Sequence, residues 1–219
     1  MPSFFVTATG TDIGKTYVTA GLIRACRRKH RAVTALKPVV SGFDPLSPES
    51  SDPYALMEAL DLPVTSLDGI SPWRFAAPLS PDMAAARENR DIDMKDVEGF
   101  CRAAVATQDT VFIEGVGGVM VPMNARETVA DWMAALRLPL ILVTGSYLGT
   151  ISHTLTALDV VLRRELQVAC IIVNETDNSS VPLKDTAETI ARFSQGITVA
   201  TLPRRAKDAD FDNVLGILL

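Results

Sequence analysis

The sequence predicts an α/β fold in which helices cover both faces of a mainly parallel sheet. Short runs rich in apolar and β-branched residues alternate with longer amphipathic stretches, and this alternation is typical of parallel strands joined by crossover helices. The length of 219 residues, of which 47% are hydrophobic and 21% charged, suits one alternating sheet with a continuous core. We therefore expect a single domain over residues 1–219.

Six apolar runs are predicted strands, and six amphipathic stretches between them are predicted helices. The strands cover residues 4–8, 32–37, 110–114, 140–144, 168–174 and 198–202. The helices cover residues 15–29, 52–60, 94–107, 129–136, 151–165 and 183–194. Residues 38–81 interrupt the alternation, because they are rich in Pro, Ser and Asp and contain one convincing helix. A long segment after the second strand should lie at the carboxyl edge of the sheet, where such folds bind ligands.

The first predicted strand runs into TGTDIGKT and then into a helix. A phosphate-binding loop, or P-loop, lies between a strand and a helix in this way. Gly14 would let the backbone approach phosphates, Lys15 would supply positive charge, and the Thr16 hydroxyl would face magnesium. The general pattern has glycine five residues before Gly14, where this chain has Thr9. The alternative is a tight glycine turn that opens an ordinary helix.

The next two strand ends carry charged residues. The second strand ends at Lys37 and continues as KPVVSG, which puts Ser41 beside the same crevice. The third strand ends at Glu114, followed by GVGG. Glu114 and Asp52 are candidate magnesium ligands, since magnesium bound to phosphates takes one or two carboxylates. The alternatives are a solvated lysine at position 37 and an ordinary helix start in SSDP.

The fourth strand leads into TGSYLGTISH, whose small residues would expose the amino end of the next helix. Such an end binds carboxylate or phosphate through free N–H groups and the helix dipole. A plain helix cap is the alternative. We expect His153 to pack or cap within this helix.

Composition excludes several classes of function. The net charge of -5 opposes binding to nucleic acid and to anionic membranes. The basic cluster at residues 24–31 falls at a helix carboxyl end, where cations are favoured. Two histidines do not make a histidine-rich metal centre, and the three widely spaced cysteines are expected to be reduced. The apolar start is too short for a signal or a membrane span, so we expect a cytoplasmic protein.

Taken together, these motifs resemble those of the dethiobiotin synthetase family. The resemblance covers the whole series of strands and rests on KPVVSG, SDP, SPWRFAAPLSP, EGVGG followed by VP, ADW, ILVTGSYLGTISH and VNE. The family loop has glycine, five residues and then Gly-Lys-Thr, and this chain has Ala8 at the first of these positions. The resemblance implies a P-loop NTPase-like fold.

Carried over position by position, the resemblance implies several groups of site residues. Lys15 and Lys37 are expected to be catalytic. Residues expected to contact ATP are Asp12, Ile13, Gly14, Lys15, Thr16, Tyr17, Asp52, Glu114, Gly115, Val116, Gly117, Asn174, Glu175, Pro203, Arg204 and Arg205. Residues expected to hold Mg²⁺ are Thr16, Asp52 and Glu114. Residues expected to contact the substrate are Thr11, Ser41, Gly149, Thr150, Ile151 and Ser152.

The family reaction closes a cyclic urea on 7,8-diaminononanoate with carbon dioxide, and ATP becomes ADP and phosphate. The resemblance also implies a homodimer in which the substrate carboxylate reaches a helix start across the interface. The chief rival is a partitioning-type P-loop switch ATPase, whose output is partner binding. Such proteins carry a second lysine near the start of the loop, where this chain has Gly10. A nucleotide-binding module without catalysis is a further alternative.

Overall fold

A computed structural model describes residues 2–107 and 109–219 of the chain. Its strands are β1 (Ser3–Ala8), β2 (Val33–Leu36), β3 (Val39–Ser41), β4 (Trp73–Phe75), β5 (Thr110–Glu114), β6 (Leu140–Gly145), β7 (Val168–Asn174) and β8 (Val199–Leu202). Its helices are α1 (Lys15–Arg28), α2 (Asp52–Leu60), α3 (Leu67–Ile70), α4 (Pro81–Arg87), α5 (Met94–Val105), α6 (Val129–Leu136), α7 (Thr150–Arg163), α8 (Leu183–Phe193) and α9 (Asp208–Leu218).

The main sheet contains the six predicted strands in the order β2-β5-β1-β6-β7-β8, and every described pairing in it is parallel. Leu36 of β2 is in register with Ile113 of β5. The residues that follow them, Lys37 and Glu114, therefore lie side by side at the carboxyl edge. The predicted fold class is confirmed.

Hydrophobic clusters lie on both faces of this sheet. On one face, Phe5 of β1 packs edge-on against Trp132 of α6, with ring centroids 4.8 Å apart. The other cluster contains the neighbouring strand residues Phe4 and Val6 together with side chains of α1, α2 and α9. Because successive strand side chains point to opposite faces, the alternation Phe4, Phe5, Val6 supplies both cores.

Residues 38–81 are more ordered than predicted. They contain β3 and β4, which pair in parallel as a separate two-stranded sheet. They also contain the helices α2 and α3, and α4 begins at their last residue, Pro81. Two 3₁₀ turns, Pro48–Ser50 and Val64–Ser66, complete the segment. The expectation of one helix is wrong because strands of three residues and a helix of four are too short to show a hydrophobic period.

The predicted helix set also lacked α9, which packs against α1. Phe211, Val214, Leu215 and Leu218 have helical spacing, so the signal was present in the sequence. Arg28 of the predicted basic cluster binds α9 through Asp208 at 2.9 Å and Asp212 at 2.7 Å.

The three cysteines, Cys26, Cys101 and Cys170, are buried and free, as predicted. No helix in the described parts of the chain combines the length and hydrophobicity that a membrane span requires.

The contact between α1 and α9 leaves no room for a side chain at Gly21. A Cβ there would lie 2.0 Å from Cε1 of Phe211. We expect Gly21→Ala to lower the free energy of unfolding by about 1–3 kcal/mol, the usual cost of overpacking a core. Gly99→Ala is the matched control, because Gly99 is exposed in α5 with no atom near the added methyl group. It should stabilise the protein by about 0.5–1 kcal/mol. Denaturant unfolding checks both values, and a Gly21→Ala protein as stable as the parent contradicts this account.

Candidate active site

Residues 9–14 form the loop between β1 and α1. The Thr9 backbone N–H donates to the Val143 carbonyl at 3.0 Å, which fixes the start of the loop against β6. Lys15, the first residue of α1, is buried, and its Nζ donates to the Gly10 carbonyl at 3.2 Å. The loop therefore ends at a helix amino terminus, whose free N–H groups favour anions.

Two constraints at Gly14 require glycine. Its φ of 94° lies in the left-handed region, and a Cβ there would lie 2.4 Å from Nδ2 of Asn174. That same Nδ2 atom donates to the Ile13 carbonyl at 3.0 Å. The end of β7 thus holds the phosphate loop directly, and Gly14 makes space for the contact.

Lys37 and Glu114 form a buried ion pair at the ends of β2 and β5. Lys37 Nζ lies 2.8 Å from Oε1 of Glu114 and also donates to the Gly115 carbonyl at 2.8 Å. The Lys37 side chain is 2% exposed and that of Glu114 0%. Asp52 at the start of α2 completes the cluster, with its Oδ2 atom 3.2 Å from Nζ of Lys37. Three oxygen atoms therefore surround an ammonium group that has three N–H donors.

Thr16 joins the same cluster from α1. Its hydroxyl donates to Oε1 of Glu114 at 2.7 Å. The second carboxylate oxygen of Glu114, Oε2, is buried and has no hydrogen-bond partner. Since an unsatisfied buried carboxylate oxygen is costly, a cation bound beside this atom would relieve that cost.

The electrostatics of the two lysines differ. Burial and then the repulsion of Lys37 lower the pKa of Lys15 from 10.5 to about 8. Burial also opposes the charge on Lys37, but Glu114 and Asp52 outweigh it and raise the pKa of Lys37 above its ordinary value. For Asp52, burial opposes ionisation, but the positive charge of Lys37 outweighs it and holds the pKa below its usual value. Lys37 is thus held in its charged form, whereas burial brings the pKa of Lys15 closer to neutral pH.

The phosphate loop and residues of 38–81 enclose a cleft of about 800 Å³, called here the central cleft. Its lining consists of Thr11, Asp12, Gly14, Lys15, Thr16, Lys37, Val40, Ser41, Gly42, Ser50, Ser51, Asp52, Pro78, Leu79, Ser80, Pro81, Val116, Gly117 and Val121. The Ser41 hydroxyl oxygen is buried there without a hydrogen-bond partner. Ammonium, carboxylate and hydroxyl groups thus converge on one space beside the helix terminus.

A second cleft of about 550 Å³, the flanking cleft, lies on the other side of the loop and shares Asp12 and Gly14 with the central cleft. It is lined by Asp12, Ile13, Gly14, Tyr17, Asn174, Glu175, Thr176, Asp177, Pro203, Arg204 and Arg205. The Arg204 backbone N–H donates to Glu175 at 2.6 Å, and its side chain pairs with Asp177 at 2.9 Å. These contacts connect the turn after β8 to the end of β7.

Sequence reasoning missed part of the lining. Thr176 and Asp177 follow Asn174 and Glu175 directly, so extending the strand-end motif by two residues would have found them. Residues 78–81 belong to the segment 38–81, which was expected to form a substrate-side wall, but none of the four was predicted individually as a site residue.

Four expected substrate residues lie outside both clefts. Gly149 caps α7, and Thr150, Ile151 and Ser152 form its first turn, but none of the four lines the central or the flanking cleft. His153 in the same turn is exposed and has its Nδ1 atom 2.9 Å from the hydroxyl group of Tyr147, which precedes α7.

The loop between β1 and α1 is followed by Lys15 and Thr16 at the start of the helix, and a buried Lys37–Glu114 pair lies at the ends of adjacent strands. These features define a P-loop nucleotide-binding protein.

A family model described as an AAA domain matches residues 2–209. The ATP-dependent dethiobiotin synthetase BioD of Methylobacterium nodulans is 47% identical over 212 residues, which are 93% of this chain and 94% of that protein. The enzyme of the same name from Caulobacter vibrioides is 43% identical over 221 residues and the full length of both chains. The chain belongs to the ATP-dependent dethiobiotin synthetase family, and it is an ATP-using enzyme of the ligase class.

Solved structures of other P-loop proteins share the fold. The septum site-determining protein MinD of Pyrococcus horikoshii, complexed with Mg-ADP, has a TM-score of 0.58 and 13% identity, covering 97% of this chain and 85% of that one. A ParA family ATPase from Chlorobium tepidum has a TM-score of 0.56 and 18% identity, covering 99% and 91%. At these identities the likeness concerns the fold alone.

The lowered pKa of Lys15 predicts a pH dependence for ATP binding. The free protein loses the Lys15 charge above about pH 8, and a polyanion binds better to the protonated form. The affinity for ATP should therefore fall as pH rises from 8, approaching tenfold per pH unit, and binding should take up a proton. Calorimetry between pH 7 and 9.5 measures both effects. Lys15→Arg is the control, since arginine keeps its charge throughout, and equal slopes for both proteins contradict the prediction.

Proposed function

We propose that the protein converts 7,8-diaminononanoate, carbon dioxide and ATP into dethiobiotin, ADP and phosphate, a step of biotin biosynthesis. The observation that carries this proposal is the central cleft, in which the phosphate loop and the Lys37 cluster face Ser41 and the wall of residues 78–81. The family membership supports the same reaction. The switch ATPases share only the fold, so their likeness does not favour the rival function. We also propose that residues 1–219 act as one catalytic domain.

The reaction needs no nucleophile from the protein. One substrate amine adds to carbon dioxide and loses a proton, which gives a carbamate. A carbamate oxygen then attacks the γ-phosphorus of ATP, the bond to the β–γ bridging oxygen breaks, and ADP leaves. The second amine attacks the carbonyl carbon of this mixed anhydride from close range. The bond from that carbon to the phosphate oxygen breaks, the attacking nitrogen loses a proton, and phosphate departs as the cyclic urea forms. The contribution of the protein is to position the groups, exclude water and stabilise charge.

Lys15 and Lys37 have separate roles in this scheme. Lys15 opens the helix at the phosphate loop and grips the ATP phosphates before reaction begins. Lys37 lies farther along the same cleft and stabilises the charge that builds on the transferring phosphoryl group and the carbamate. In the free protein its ammonium contacts Glu114, Gly115 and Asp52. The longest of these contacts, to the half-exposed Asp52, is the one most easily exchanged for a substrate oxygen.

Thr16, Asp52 and Glu114 would hold Mg²⁺ together with the phosphates. Their oxygen atoms are hard donors of the kind magnesium prefers, and the unpartnered Glu114 Oε2 atom supports their fit to a cation. In the described residues no cluster of three or more His, Cys, Asp and Glu side chains forms a metal site, so phosphates and water would supply the other ligands. When bound, the ion neutralises charge on the β- and γ-phosphates.

The flanking cleft would hold the adenosine part of ATP. It adjoins the phosphate loop, and its volume of about 550 Å³ suits a nucleoside. The Asn174 side chain would contact the adenine, with Glu175 and the turn from Pro203 to Arg205 beside it. Glu114 to Gly117 would contact the nucleotide from the opposite side of the loop.

We further propose a homodimer that acts in the cytoplasm. Gly149, Thr150, Ile151 and Ser152 lie outside the clefts of their own chain, and the adjoining Leu148 is 89% exposed. This arrangement supports a second copy whose substrate carboxylate meets the first turn of α7. The three free, buried thiols suit the reducing cytoplasm.

ATP turnover should depend on both co-substrates. We expect ADP release to rise on addition of 7,8-diaminononanoate and bicarbonate together and to stay near background with either one alone, because phosphoryl transfer requires the carbamate. Steady-state ADP assays and mass detection of the cyclic urea measure the two products. Equal ADP release without the diamine would instead favour the switch ATPase.

Replacing Lys37 should lower turnover more than ATP affinity. Lys37→Gln keeps a donor for Glu114 but removes a charge that matters most in the transition state. Loss of one such preorganised group costs on the order of 3 kcal/mol, roughly a hundredfold to a thousandfold in rate. Lys15→Ala should weaken ATP binding and turnover together.

Calorimetric ATP affinity and steady-state rates on the same samples separate the two lysine variants. Since breaking a buried pair destabilises a protein, thermal unfolding must first show that Lys37→Gln is folded at the assay temperature. Turnover within about threefold of the parent would remove Lys37 from the mechanism.

A further inference from the structure

Four threonine hydroxyl groups meet behind the phosphate loop. Oγ1 of Thr144, near the end of β6, lies 3.2 Å from that of Thr9, 2.9 Å from that of Thr150 and 2.8 Å from that of Thr154. Thr144, Thr150 and Thr154 are buried, and Thr9 is half-buried at the start of the loop. The cluster thus joins the phosphate loop to the first turn of α7.

Counting protons fixes the direction of these hydrogen bonds. Each hydroxyl group has one proton to donate. Thr150 donates to the Gly145 carbonyl at 2.7 Å, and Thr154 donates to the Thr150 carbonyl at 2.7 Å. Neither has a proton left for Thr144, so both accept from it. The single proton of Thr144 serves one of them at a time, and among the four described hydroxyl groups of the cluster Thr9 has a proton free to donate to Thr144.

Among the residues that the structure describes, the Thr144 hydroxyl group is thus the side-chain link between Thr9 at one end of the cluster and Thr150 and Thr154 at the other. It accepts from Thr9, and it has two alternative acceptors on α7. The backbone of Thr9 is already tied to β6 through its N–H group, so the hydroxyl bond is what relates the side chain of Thr9 to α7.

We propose that Thr144 is a positioning residue that couples ATP on the phosphate loop to the first turn of α7. ATP binding orders Thr9, and Thr144 transmits that order to Thr150 and Thr154. By reciprocity, a ligand on the first turn of α7 strengthens ATP binding. The part of this inference that concerns the diamine rests on the proposed function, whereas the coupling of ATP to α7 does not.

The test compares Thr144→Val, which removes the hydroxyl group at nearly constant volume, with Thr144→Ser, which keeps it. Hydrogen exchange of residues 149–154 is measured with and without Mg-ATP. In the parent protein, ATP should slow exchange in this turn by at least about threefold. Thr144→Val should lose the ATP-dependent slowing, and Thr144→Ser should restore it.

Where the diamine is turned over, Thr144→Val should also raise the KM values of ATP and diamine about fivefold, as expected for loss of one neutral hydrogen bond.

Thr186→Val is the matched control, because Thr186 of α8 is also buried and donates to the carbonyl of Pro182, which precedes that helix and lies outside the cluster. It should leave the effect of ATP on α7 intact.

Should Thr144→Val fail to fold, Thr9→Val removes the donor at the half-buried end of the cluster and should have the same effect on hydrogen exchange. ATP-dependent slowing that survives in a folded Thr144→Val or Thr9→Val protein overturns the proposal. So does a Thr144→Ser protein that fails to restore it. Absence of diamine turnover contradicts the proposed function but leaves the exchange result valid.

Discussion

The site depends on a buried ion pair between Lys37 and Glu114. Removing two charges from water costs several kcal/mol per ion, and their attraction offsets this only with good geometry and further hydrogen bonds. Here the Gly115 carbonyl, Asp52 and the Thr16 hydroxyl supply those contacts. Apolar residues of similar volume are often as stabilising as a buried ion pair, or more so. Stability alone does not account for the pair, which agrees with the proposed role of Lys37 in the central cleft.

The sequence predicts much of the fold and the chemical identity of the site. Each of the six strands of the main sheet gives a clear apolar run, and Lys37, Glu114 and Asn174 were placed at strand ends correctly. The residues that these side chains contact in space were not predictable in the same way, because local sequence patterns do not encode which strands pair. The adjacency of Lys37 and Glu114 follows from β2 lying next to β5. The Asn174 bond to Ile13 joins residues too distant in sequence for any local pattern to relate.

The comparison with MinD and ParA shows what the fold alone provides. A P-loop between a strand and a helix is shared by proteins with very different outputs, so it fixes where phosphate binds and little else. In this chain, Ser41 and residues 78–81 of the segment 38–81 wall the central cleft. The proposed recognition of the phosphoryl acceptor would therefore fall to this segment, where the alternation of strands and helices is broken.

The strand order has a consequence for how the protein acquires its site. Every pairing in the main sheet joins strands separated by a crossover connection, and β1 pairs with β5 and β6. Non-local pairings of this kind form slowly, because the intervening chain must be ordered first. The phosphate loop is synthesised early, yet Asn174 and the turn at 203–205 emerge from the ribosome late. A nascent chain would therefore contain the phosphate loop long before that loop could bind a nucleotide. ATP would stabilise only the completed fold.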